Sequence, residues 1–61
     1  MINYYVKIGD RIYLVNDINV ARMSANYYVF EDSEMEYPEA EYGEIVNGEY
    51  KVIERVYRDD N

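Results

Sequence analysis

Asn47-Gly48 stands between two runs rich in β-branched and aromatic residues, residues 42–46 and 49–57. A two-residue type I′ turn needs positive φ at both central positions, and Asn-Gly meets that demand better than almost any other pair. The dipeptide therefore commits this part of the chain to an antiparallel hairpin. Loop length sets the register: Val46 opposite Glu49, Ile45 opposite Tyr50, Glu44 opposite Lys51 and Tyr42 opposite Ile53. Val52, Ile53, Val56 and Tyr57 break strict alternation. That predicts a bulge switching faces near Glu54, with a helical end as the alternative.

A second hairpin is legible at the other end of the chain. Ile2, Tyr4, Val6 and Ile8 alternate with Asn3, Tyr5 and Lys7, the period of a half-buried strand. Gly9-Asp10 suits a type II′ turn, with Gly at the first central position, and residues 11–15, RIYLV, form the return strand. The register then places Ile8 opposite Arg11, Val6 opposite Tyr13 and Tyr4 opposite Val15. One face carries Ile2, Tyr4, Val6, Ile8, Tyr13 and Val15; the other carries Tyr5, Ile12 and Leu14. Both faces are largely apolar, which favours a sheet covered on both sides in places.

The middle of the chain reads less directly. In residues 16–24, Asn16-Asp17 opens a turn, with Val20 starting an extended arm. The alternative is a short helix with Asp17 as N-cap and Ile18, Ala21, Arg22 and Ala25 on it. Residues 25–30, ANYYVF, carry β-forming types and read as a strand. The resulting fold class is all-β with at most one short helical turn. We expect a small antiparallel sheet of four or five strands, or an SH3- or OB-like barrel, built on hairpins at Gly9-Asp10 and Asn47-Gly48. An open sheet that dimerises through one apolar face is the alternative. Residues 1–61 make one small domain.

Composition narrows the chemistry. The chain has no Cys and no His, which excludes disulfides and a Cys- or His-based metal centre. A chain of 61 residues buries only about 60% of its unfolded surface, and oligomerisation is one remedy for so small a core; a homodimer is therefore expected. Ser24 and Ser33 are the only Ser, there is no Thr, and three scattered Gly make no phosphate loop. Carboxylates are plentiful, but acid–base work needs a pocket that shifts a carboxylate pKa, and a domain of this size rarely encloses one. We read no enzyme and no cofactor. No apolar run approaches the ~20 residues needed to span a bilayer, and the first residues lack the basic start and apolar run of a signal peptide. The absence of Cys fits a reducing cytoplasm.

Charge is concentrated. Residues 31–44, EDSEMEYPEAEYGE, hold seven carboxylates (Glu31, Asp32, Glu34, Glu36, Glu39, Glu41 and Glu44) and no base. Outside them six acids balance six bases, so the whole net charge of −7 lies in this stretch. It contains a near-repeat, Glu34-Met35-Glu36-Tyr37-Pro38 followed by Glu39-Ala40-Glu41-Tyr42-Gly43. Pro38 opposes a helix and biases Tyr37 to extended geometry, and dense like charge opposes a helix further. The stretch reads as an extended, exposed acidic arm. Carboxylates at 31, 32, 34 and 36 are hard ligands of the kind Ca²⁺ or Mg²⁺ takes, but the spacing of a calcium loop is absent, and we assign no metal.

Three readings of the arm compete: a solvated loop, a binding arm for a basic partner, and nucleic-acid mimicry. Segregated charge and interleaved Tyr and Met favour binding, since Tyr and Met are enriched in interfaces. In an extended chain Glu34 and Glu36 lie ~6.6 Å apart on one side, as do Glu39 and Glu41, a spacing comparable to that of successive phosphates. Glu31, Asp32, Glu34, Glu36, Glu39, Glu41 and Glu44 would supply charge, with Tyr37 and Tyr42 as anchors. In size, acidity and lack of catalytic residues the chain resembles the small acidic phage and mobile-element proteins that block host nucleic-acid enzymes. That resemblance implies a non-enzymatic inhibitor whose partner is a basic, nucleic-acid-binding enzyme. Direct nucleic-acid or membrane binding is disfavoured, since both are recognised mainly through Lys and Arg. The rival reading is a structural or adaptor module that self-associates through an apolar sheet face.

Overall fold

Both hairpins form in the registers their turn dipeptides dictate. β1 (Tyr4–Ile8) and β2 (Arg11–Val15) pair with Ile8 opposite Arg11 and Tyr4 opposite Val15, around Gly9 at φ 61°. β3 (Glu39–Val46) and β4 (Glu49–Tyr57) pair around Asn47 and Gly48, at φ 51° and 79°, the two positive values a type I′ turn requires. The computed structural model describes residues 3–31 and 38–58.

The expected bulge is present. Tyr42 lies opposite Glu54 and Gly43 opposite Val52, leaving Ile53 as the extra residue. Tyr42 therefore faces Glu54 rather than Ile53. A Cβ at Gly43 would collide with the Lys51 carbonyl and press on the Tyr5 ring, so close approach, not turn geometry, requires glycine there.

β1 also pairs antiparallel with β3, giving the sheet order β2-β1-β3-β4. The sheet is open, with β2 and β4 as its edges; of the two forms expected it takes the sheet and not the barrel. Because β1 is antiparallel to both neighbours, β2 and β3 run parallel, and a parallel connection needs a crossover of a dozen or more residues. A helix supplies it. This corrects the extended arm expected over residues 16–24 and the strand expected over 25–30. The chain forms α1 (Ile18–Asn26) followed by a π-helical turn (Tyr27–Glu31). Asp17, extended at φ −146°, caps α1: its Oδ1 accepts from the backbone N–H of Asn19 at 2.7 Å and of Val20 at 3.4 Å.

Packing decides why these β-forming residues coil. Ala21, Ala25 and Val29 are fully buried against Val6, Ile8, Ala40, Tyr42 and Val56 of the sheet. Small residues at four-residue spacing let the helix lie close to the strands. The π-turn aims Val29 into this core and stacks Tyr28 on Tyr13, with ring centroids 6.2 Å apart and planes nearly parallel. Arg58 clasps the turn: its Nη1 donates to the Val29 carbonyl at 3.0 Å and its backbone N–H to the Pro38 carbonyl at 2.8 Å. Three of the eight clustered core residues are alanine, so the core is thin for the area it covers.

Candidate functional site

α1 covers only one face of the sheet. Alternation along the strands and the observed registers assign the other face. One row reads Ile12, Lys7, Glu41 and Arg55 across β2, β1, β3 and β4, and the next reads Leu14, Tyr5, Gly43 and Val52. Ile45 and Tyr50 continue the face toward the Asn47-Gly48 turn, and Glu39 and Tyr57 close the opposite end. No described element packs on it. Leu14 and Tyr50 are each 52% exposed, and Ile12, Val52 and Tyr57 are also exposed. The uncovered face thus has an apolar, aromatic end and a charged band.

Tyr5 sits near its centre and is only 1% exposed. Its ring fills the space left by Gly43, and Tyr50 meets it edge-on at 4.8 Å. The Tyr5 hydroxyl donates to Glu41 Oε2 at 2.9 Å, and Arg55 Nε lies 3.5 Å from Glu41 Oε1. Burial, then the bond to Glu41, push the Tyr5 phenol up to about 12. These contacts tie Tyr5 of β1 to Glu41 of β3 and Tyr50 of β4. Among the described residues two bases, Lys7 and Arg55, and two acids, Glu39 and Glu41, leave the face without net charge. A cleft of about 250 Å³ opens at the charged band, lined by Lys7, Gly9, Pro38, Glu39 and Arg55 among others.

The acidic residues expected to form one arm are divided. Glu39, Glu41, Tyr42 and Glu44 belong to β3, an inner strand paired on both sides, so this half of the stretch is not an arm. Glu39 and Glu41 point to the uncovered face, whereas Tyr42 and Glu44 point to the helix side. Tyr42 is buried, and its hydroxyl donates to Glu54 Oε1 at 2.6 Å. That bond and burial raise its pKa, and it is a core residue, not an exposed anchor. Glu31 ends the π-turn and is exposed. Asp32, Glu34, Glu36 and Tyr37 lie outside the described residues. Lys51 stands opposite Glu44 as expected, with its ammonium 3.5 Å from Glu49.

On the helix side, Val20, Met23, Ser24, Tyr27 and Tyr28 line an open groove of about 360 Å³. Among the described residues no three carboxylates converge as a metal site would require, and no helix is long and apolar enough to cross a membrane. Ile12, Leu14, Lys7, Tyr50, Val52 and Arg55 were not singled out as binding residues by charge. The sequence signal for Ile12 and Leu14 is the second apolar stripe, which they share with Tyr5; Lys7, Tyr50, Val52 and Arg55 lie outside it. No family model, no curated protein and no solved structure matches the chain.

Proposed function

We propose that this chain is a non-enzymatic structural or adaptor module that self-associates through the uncovered face of its sheet. The observation that carries the reading is the row of exposed apolar side chains on that face, Ile12, Leu14, Tyr50 and Val52, beside a charged band of zero net charge. A second copy suits this face better than a charged partner would. The chain as a whole is at −7, yet the face itself adds no repulsion when two copies meet. The thin core supports the same reading, because a chain of this size gains stability from a partner. Four strands ~4.8 Å apart and roughly 15–30 Å long bury on the order of 1,000 Å² when two such faces pack, near the threshold for a specific interface.

Sedimentation of the purified protein at low and high salt tests this. The expected result is a dimer that persists at high salt and is lost in Leu14→Glu and Val52→Glu. A monomer at all concentrations overturns the reading.

A second reading, the acidic modulator of a basic nucleic-acid-binding protein, is favoured by one observation. Among the described residues the excess of acids, Glu31 and Glu44 included, falls off the uncovered face, so a dimer would leave it on display. Capture of a basic protein that weakens with salt, and that is lost when Glu34 and Glu36 are changed to Lys, supports it. Capture that survives those changes removes it.

A further inference from the structure

Resting on the self-association just described, we infer that the two copies are related by a two-fold axis running parallel to the strands, between β1 and β3. Lys7 of each copy would then pair with Glu41 of the other.

The pattern of the face selects this axis. Two sheets packed face to face can share a two-fold axis along the strands or across them. An axis along the strands keeps each row on itself and reverses the strand order. The row Ile12, Lys7, Glu41, Arg55 then lies on its own reverse. Lys7 meets the second copy's Glu41, and Ile12 meets Arg55 at the rim of the cleft. In the next row Leu14 meets Val52, apolar on apolar. An axis across the strands instead lays the charged band on the apolar end. That arrangement sets Lys7 on the second copy's Tyr5 and Glu41 on its Gly43, so the Lys7 ammonium leaves water without the opposing carboxylate that the first axis provides.

Lys7 supplies an independent reason. It sits exposed on an inner strand, directly across from Glu41. Glu41 is engaged by Tyr5 and Arg55, while Lys7 has no ion-pair partner among the described residues. Among the described residues no carboxylate forms an ion pair with this ammonium, and the proposed axis brings one to it. Aligned sheets cross at roughly 30°, so the match is closest for the central strands, where Lys7 and Glu41 lie.

The chain has no cysteine, so introduced thiols report without interference. In the double variant Leu14→Cys/Val52→Cys, the two positions in one chain lie on opposite edge strands, ~14 Å apart. Across the proposed pair each lies over the other at the ~10 Å spacing of packed sheets. A short bismaleimide crosslinker should therefore convert most of the double variant to covalent dimer. The single variants Leu14→Cys and Val52→Cys should stay uncrosslinked, since each residue is then far from its own copy. Both substitutions are at exposed positions, and the fold is checked by circular dichroism. Lys7→Glu should weaken the dimer by about tenfold or more, since it sets two carboxylates against each other. A wild-type dimer whose Leu14→Cys single variant crosslinks overturns the axis. So does a dimer unaffected by Lys7→Glu. A wild-type monomer overturns the self-association reading itself, a distinct result.

Discussion

Tyr5 and Tyr42 point to opposite faces of the sheet, yet each hydroxyl donates to a glutamate on a neighbouring strand. This makes tyrosine ionisation a probe of the fold. Below pH ~10 Tyr5 keeps its proton whether the chain is folded or not. Above it the unfolded chain releases the proton from the ordinary value of 10.0, while the folded chain holds it to about 12. The native state then binds more protons, so stability falls as pH rises through this window. Urea unfolding from pH 9 upward should show that loss, and Tyr5→Phe should flatten it, leaving the smaller part due to Tyr42. The glycines separate two kinds of constraint. Gly43→Ala forces a clash with the Lys51 carbonyl and should cost several kcal/mol or prevent folding. Gly48→Ala meets nothing within 4 Å and should cost only about 1 kcal/mol of backbone strain at its φ of 79°. Chemical denaturation of the two variants side by side checks the contrast.

At the scale of elements, the hairpins were legible because their information is local. A turn dipeptide fixes φ, loop length fixes register, and a break in alternation marks the bulge at Ile53. The helix was not, because its cause is tertiary. Tyr27, Tyr28, Val29 and Phe30 favour a strand in isolation. They coil because β1 takes β3 as its second neighbour and a parallel crossover must then span the sheet. The usable signal was Asp17 followed by Ile18, Ala21 and Ala25, a cap and one helical face. Asp17→Ala should therefore cost about 1 kcal/mol, read as a lower unfolding midpoint. The candidate site was legible in the same partial way. Charge drew attention to residues 31–44, but charge does not reveal that Glu39 to Glu44 lie in a central strand, with alternate side chains on opposite faces. The uncovered face was visible only as apolar residues in excess of what one core can use.

For the whole molecule, folding and association become one equilibrium if the sheet face pairs as proposed. The unfolding midpoint should then rise with protein concentration, and Leu14→Glu should abolish the dependence, as thermal scans over a wide concentration range would show. The crossover has a different consequence. Each hairpin closes locally, and within the sheet the β1–β3 pairing is the one joint made at long range. Folding should thus be limited by docking two preformed pieces, not by building either of them. The same joint divides the molecule into a β1-β2-α1 piece and a β3-β4 piece whose backbone edges complete each other. Cut between residues 31 and 38, the chain becomes a two-part reporter: the pieces, each fused to a different protein, would reassemble when those proteins meet.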